Sequence, residues 1–351
     1  LKRISVIGLC LIFLMPAGCA RPQTQRYQAE FLSLFDTVTT IVGYSDSEEH
    51  FKALAEEIRA ELEAYHQLYD IYHAYPGLNN IKTINDNAGI KPVVVDGRII
   101  DMLEFAKEAC GRSGGAFNVA LGPVLRLWHD YREAGLDDPE NAQLPPAELL
   151  QEAALHTDIN DVIIDREAST VYLRDAGMRL DVGAIAKGYA IEQVARDAES
   201  RGVASLLISV GGNVRAIGKK LDADSSGDRR WAIGIQNPDK SSPRDELMLV
   251  QINGLSVVSS GIYERYYTVD GRQYHHIIDP GTLMPAGRYA QVSIICRDSG
   301  LADALSTAVF CMPLDKGKAF IEQTAGVEAA WVLENGGIEY SSGFESYIKA
   351  D

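Results

Sequence analysis

A chain of 351 residues that is 46% apolar and 23% charged carries enough apolar surface for a large core, which excludes a disordered chain. The formal net charge of −16, with no run of Lys and Arg interleaved with aromatics, excludes a nucleic-acid backbone binder. It also means that any phosphorylated ligand needs a cation or a local positive site.

In chain order, Lys2 and Arg3 precede an apolar run from Ile4 to Met15 that ends in Ala17-Gly18 before Cys19. Residues 1–19 read as a signal peptide with a lipoprotein-like cysteine. The expectation is an exported protein, lipid-anchored to the cell envelope on the periplasmic or outer face of a membrane. Residues 20–30 are polar, contain Pro22 and suit a tether, leaving 31–345 as a single body. Cys110, Cys296 and Cys311 form no metal-clip spacing and read as buried small hydrophobes.

Within that body, residues 31–44 suggest a strand. Apolar residues then recur at three- and four-residue steps from Phe51 to Tyr72, which predicts a long helix opened by a capping box of Asp46 and Glu49. Further helices are expected near 98–110, 123–133 and 146–156, forming a helical subregion of about 98–156. Beyond it, residues 162–165 and 170–173 resemble a hairpin, and strand-like runs recur at 206–210, 231–235, 247–252, 256–259 and 291–296. Helices near 184–200 and 301–311 interrupt them. Segregated strands and helices favour an α+β class over a doubly wound sheet.

Four short stretches carry candidate chemistry. In Leu180-Asp181-Val182-Gly183-Ala184-Ile185-Ala186-Lys187, an acid and a glycine precede a helix start, where backbone N–H groups favour anions; Asp181 serves there either as an N-cap or as a ligand contact. Asp303 and Thr307 stand at i, i+4 on one helix face. Two hard oxygens suit Mg²⁺, which accepts few protein ligands when phosphates and waters complete its shell; a capping Asp and a back-bonded Thr are the alternative. His276, before Ile277-Ile278-Asp279-Pro280, is placed to take a proton from a hydroxyl or to pair with phosphate. Its neighbour His275 lacks a third ligand at zinc spacing. Finally, Gly211-Gly212 after a β run permits a close approach to a ligand or a bulge, without a dinucleotide fingerprint or a P-loop.

Taken together and in order, these stretches resemble the ApbE-type FAD:protein FMN transferases. The resemblance rests on Phe35-Asp36-Thr37, Ala116-Phe117-Asn118-Val119 with Gly122-Pro123, Leu180-Asp181 through Ala190, Val210-Gly211-Gly212-Asn213, His276 through Pro280, and Asp303 through Ala308. It implies an α+β, ApbE-like mixed-sheet core with a helical insertion, and a flavin cleft between the two parts. It implies FAD as substrate, with Mg²⁺, or Mn²⁺, held by the Ala184 carbonyl, Asp303 and Thr307. Phe35, Tyr72, Ala116 and Phe117 are implied FAD contacts, as are Asn118, Asp181, Lys187 and His276. His276, Asp303 and Lys187 are the implied catalytic groups. The implied reaction transfers FMN from FAD to a Thr or Ser hydroxyl of an exported or membrane-bound acceptor and releases AMP. Acceptors would be flavoprotein subunits of membrane electron-transfer complexes. FAD pyrophosphatase activity and a non-catalytic flavin- or solute-binding lipoprotein are the rival readings. The sequence departs from the family pattern at Phe35, often Met; at Asn118, often Asp; and at Leu283, usually Gly.

Overall fold

The computed structural model describes residues 24–349. The signal peptide and Cys19 lie outside these residues. The tether reading of 20–30 is corrected in part: Gln25 already begins a strand, β1 (Gln25–Leu34), which pairs antiparallel with β2 (Thr37–Ser45). The single strand expected over 31–44 is therefore a hairpin. Its two-residue loop, Phe35-Asp36, has both φ values positive, at 52° and 54°, as a primed hairpin turn requires. Polar β1 lies at the sheet edge; Leu34 is buried at its end, and Tyr27, Ala29 and Phe31 pack against the core.

Next come α1 (Glu48–Tyr69), α2 (Ile81–Asp86), β3 (Val93–Val94), α3 (Gly97–Arg112), α4 (Gly122–Asp137) and α5 (Ala147–Ala154). The cap of α1 is Ser47, whose side chain accepts from His50 N, in place of the expected Asp46–Glu49 box. A hairpin follows, β4 (Val162–Asp165) and β5 (Thr170–Leu173), joined by β3. The second half runs α6 (Ala186–Ser200), β6 (Ser205–Val210), β7 (Asn213–Gly218), β8 (Trp231–Gln236), β9 (Glu246–Ile252), β10 (Ser256–Gly261), β11 (Tyr266–Val269), β12 (Arg272–His275) and β13 (Tyr289–Cys296). It closes with α7 (Ser299–Phe310), α8 (Leu314–Glu322), β14 (Glu328–Leu333) and β15 (Ile338–Tyr340). This is the α+β class, with segregated strands and helices.

The frame is an eight-stranded sheet in the order β1-β2-β6-β7-β10-β13-β14-β15, antiparallel at every pairing. One apolar cluster packs α1, α3 and α6 on this sheet through Ile41, Ile58, Leu62, Ile191 and Ile208. A second gathers α7 and α8 around the fully buried Trp331. The opposite face is covered by the β8–β9 pair through Trp231, Ile233 and Val250. Helix α4 forms a satellite core with the β11–β12 hairpin through Val124, Trp128 and Tyr267. The helical subregion is thereby fastened to the hairpin that ends at His275. Cys110, Cys296 and Cys311 are free and buried. Among the described residues no helix is long and apolar enough to cross a membrane.

Candidate functional site

A cleft of about 1020 Å³ opens between the helical subregion and the sheet, at the upper end of the size range for ligand sites. Every residue named from the sequence lines it: Phe35, Tyr72, Ala116, Phe117, Asn118, Asp181, Ala184, Lys187, His276, Asp303 and Thr307.

The floor is made where α6 meets α7. Gly188 has no room for a side chain, because a Cβ there would lie 2.3 Å from the Ser299 carbonyl oxygen and 2.5 Å from Asp303 Cβ. That closeness lets Gly188 N donate to Asp303 Oδ2 at 2.8 Å. Gly188 is the third residue of α6, so its N–H has no carbonyl to bond within its own helix, and Asp303 supplies the acceptor. The first helical bond is made by Tyr189 N to Ile185 O, at 2.9 Å. Ala184, which precedes the cap residue Ile185, lines the cleft, and among the described residues its carbonyl accepts no backbone hydrogen bond.

Asp303 is 4% exposed. Burial raises its pKa above the usual carboxylate range, against the opposing pull of Lys187 and the Gly188 N–H. Asp298, not Asp303, caps α7, and the back-bond to the Asp303 carbonyl comes from Ser306 Oγ, at 2.8 Å, rather than from Thr307. Capping and back-bonding thus leave Asp303 and Thr307 as cleft-facing oxygens. A buried carboxylate, a hydroxyl and an unpaired carbonyl form a hard-oxygen set that fits Mg²⁺ or Mn²⁺ with substrate oxygens completing the shell. Among the described residues no group of three His, Cys, Asp or Glu could hold a metal. The buried side chain of Asn213 stands beside Asp303, where its amide helps to hold the carboxylate charged, and it faces the same cleft.

His276 continues from β12. Its Nδ1 lies 3.2 Å from the Arg265 carbonyl oxygen, and since a carbonyl only accepts, Nδ1 carries the hydrogen and Nε2 is left as the acceptor. His276 is exposed to the open cleft, and desolvation by the surrounding walls, then the positive field of Arg265, lower its pKa from the usual histidine value. The ring is neutral near pH 7 with a lone pair to offer. His275 is occupied twice: Nε2 donates to Ala286 O at 3.0 Å and Nδ1 accepts from Ile277 N at 3.2 Å. Burial depresses its pKa to about 4; it is a structural histidine.

Three expectations change in detail. Asp181 does not cap α6; its Oδ1 accepts from Gly183 N at 2.9 Å, bending the chain toward the cleft. The Asn118 side chain is already committed, accepting from Ala120 N and donating to Thr157 O, both at 2.9 Å. Phe117 is only 2% exposed. Asn118 and Phe117 therefore shape the wall more than they reach into it. Gly211-Gly212 is the β6–β7 hairpin turn, with φ of 55° and 85°, and Gly211 N donates to Val38 O beside the Phe35-Asp36 turn. Leu283 lies outside the cleft lining at φ 61°, its carbonyl accepting from Trp128 Nε1 at 2.9 Å.

Sequence reasoning missed Leu125, Trp128, His129 and Arg132, which line the cleft from α4. Their i, i+3, i+4, i+7 spacing was the available signal. Arg132 Nη2 donates to His129 Nδ1 at 3.0 Å, and the exposed Tyr72 ring lies 5.5 Å from the His129 ring. His66 was hidden within the α1 stripe; it accepts from Phe35 N at 3.2 Å and meets the Phe35 ring edge-on. Lys187, Arg132 and Arg265 supply cations to a phosphorylated ligand, among the acidic Asp36, Asp70, Asp181, Glu264 and Asp303 of the same lining.

Comparison with known proteins gives a consistent picture. The model of the ApbE family matches residues 35–331. The FAD:protein FMN transferase of Treponema pallidum (strain Nichols) is 35% identical over 360 residues, covering 99% of this chain and 95% of that protein. One from Klebsiella pneumoniae (strain 342) is 32% identical, covering 84% and 86%. The crystal structure of the ApbE protein from Thermotoga maritima matches with a TM-score of 0.79 at 30% identity, over 93% of this chain and 100% of that one. Flavin transferase ApbE from Vibrio cholerae, at 22% identity and a TM-score of 0.75, shares the fold over 93% and 100% of the two chains.

Gly188→Ala tests the α6–α7 contact. The added methyl should force the helices apart at a cost of about 1–3 kcal/mol in urea denaturation, and Mg²⁺ should no longer raise the melting temperature in the presence of FAD.

Proposed function

The chain belongs to the ApbE family, and from that premise we propose that it is an FAD:protein FMN transferase whose reaction depends on Mg²⁺. The observation that supports the metal part of this reading is the bond from Gly188 N to Asp303 Oδ2, which packs α6 on α7. It brings the turn that carries the Ala184 carbonyl to the same cleft as a buried carboxylate and the Thr307 hydroxyl. Ala184, Asp303 and Thr307 would hold the ion. Bound there, Mg²⁺ would neutralise charge on the FAD pyrophosphate; Mn²⁺ accepts the same oxygens.

FAD lies in the cleft with its flavin half toward the Phe35 and Tyr72 side. Asn213 and Lys187 donate to phosphate oxygens. His276 Nε2 takes the proton of the incoming Thr or Ser hydroxyl, while the Arg265 carbonyl holds the imidazole in the tautomer that leaves Nε2 open. The hydroxyl oxygen forms a bond to the flavin-side phosphorus as the bond from that phosphorus to the bridging oxygen breaks. AMP leaves with the bridging oxygen, and FMN remains on the acceptor as a phosphoester. Burial of Asp303 without a counter-ion within 4 Å makes the metal-free site electrostatically costly, as active sites often are.

The acceptor is an exported or membrane-bound flavoprotein subunit of an electron-transfer complex. The enzyme itself is held to the same compartment by lipid on Cys19. What supports this is the run from Lys2 through the small residues before Cys19. Cys19→Ser should shift the protein from the membrane pellet to the soluble envelope fraction.

The direct test is incubation with FAD, Mg²⁺ and a candidate acceptor, read by intact-protein mass. A gain equal to FMN less one water, as the phosphoester bond requires, supports transfer. Free FMN and AMP alone would instead indicate a pyrophosphatase, and unchanged FAD a binding protein. Asp303→Asn should cut the transfer rate by at least about 100-fold, the equivalent of several kcal/mol of lost charge stabilisation. It should also raise the melting temperature of the metal-free protein near neutral pH. The sign follows from the upward shift: the protonated form is favoured in the fold, its contribution is present in acid and is lost as pH rises through the raised pKa. The neutral amide restores it. His276→Ala should lower turnover by about 10²–10⁴-fold with little change in FAD affinity by fluorescence quenching.

A further inference from the structure

Behind the metal-binding floor lies a buried charge network. Glu192 is 2% exposed and Arg215 1%. Glu192 Oε2 accepts from Arg215 Nε at 2.9 Å and from the backbone N of Ser299 at 3.0 Å. Its Oε1 accepts from Arg196 Nε at 2.8 Å, and Arg196 Nη2 reaches Asp298 Oδ2, the α7 cap residue, at 2.6 Å. Arg215 extends the network from β7 to Glu199 at 3.1 Å.

The spacing of these contacts has a simple meaning. Glu192 on α6 bonds to Ser299 on α7, and one turn nearer the cleft Gly188 bonds to Asp303. The two helices run antiparallel in a register that advances four residues on each. Next in that direction come Ala184, in the turn before α6, and Thr307, one turn further along α7, and both line the cleft. Glu192 is thus the far rung of the ladder whose near rungs form the metal site, and a carboxylate has a further reason to be there. The Ser299 N–H belongs to the first turn of α7, where it has no partner within its own helix and the helix dipole favours a negative group. A helix held this way at its N-terminus cannot slide along its neighbour without breaking a charge-assisted bond.

On the metal-site reading above, we propose that Glu192, with Arg215 and Arg196, is a positioning residue that sets the α6–α7 register and so the spacing of the Ala184, Asp303 and Thr307 oxygens around the cation. It touches neither substrate nor metal. Groups that orient metal ligands at one remove commonly influence affinity by about 10- to 100-fold.

The test uses Mn²⁺ titrated into FAD-loaded protein without acceptor, with the free ion counted by electron paramagnetic resonance. Glu192→Gln keeps the side-chain shape and removes the charge. It should weaken Mn²⁺ binding by about 10-fold, while FAD affinity measured without metal stays within about twofold of wild type. Ile321→Val, in the α8 cluster, serves as a control that lowers the melting temperature without moving the Mn²⁺ affinity. If Glu192→Gln does not fold, Arg196→Gln at the exposed end of the network takes its place and should weaken Mn²⁺ at least about twofold. An unchanged Mn²⁺ affinity in either folded variant overturns the proposal, as does an equal loss in Ile321→Val. A wild-type protein that binds no Mn²⁺ defeats the metal-site reading itself, a different result from a variant that binds as wild type does.

Discussion

One hydrogen bond organises the site. Because Gly188 gives its first-turn N–H, which has no partner within its own helix, to Asp303, helix α6 is anchored to α7 beside the turn that carries Ala184. Only glycine permits it, since any Cβ at 188 would collide with backbone of α7. The same bond donates toward a carboxyl whose pKa burial raises, and so opposes that shift. Structure and chemistry are coupled there: the contact that packs the helices also prepares the oxygens that face the cleft.

Electrostatics follows the same economy. The protein carries a net charge of −16, and its cleft sets Lys187, Arg132 and Arg265 among Asp36, Asp70, Asp181, Glu264 and the deeply buried Asp303. Acidic surface charges are largely screened by salt, whereas cations in a concave site act at short range on a bound phosphate. The His276 pKa is lowered first by desolvation in the cleft and then by Arg265, a cation that also attracts phosphate. A neutral, singly oriented histidine is what deprotonation of a hydroxyl requires.

The hairpins explain how loops gain such precision. The Phe35-Asp36 and Gly211-Gly212 turns project from adjacent strands of the central sheet and are tied together through Gly211 N and Val38 O. Residues at positive φ cost backbone energy, and here the sheet holds them so that the Phe35 ring reaches the cleft against His66. On the far side, α4 and the β11–β12 hairpin share one small core, which connects the wall bearing Arg132 with the strand leading to His276.

The linear sequence determined the class of fold and the identity of the site, because both rest on local patterns. Helical periodicity marked α1, α3, α4, α6 and α7, and short motifs marked Asp181 through Lys187, His276 and the Asp303–Thr307 pair, all of which line one cleft. Elements whose pattern is broken by tertiary context were not legible. Strand β1 reads as polar since it is an edge, and β7 was obscured by Arg215, a charge buried only because Glu192 and Glu199 meet it from α6. Tertiary structure alone decided that Asn118 spends its side chain on capping, that His275 is structural while His276 is open, and that Ala184 offers a free carbonyl. Each depends on a partner distant in the chain, and no local spacing encodes where such a partner will lie.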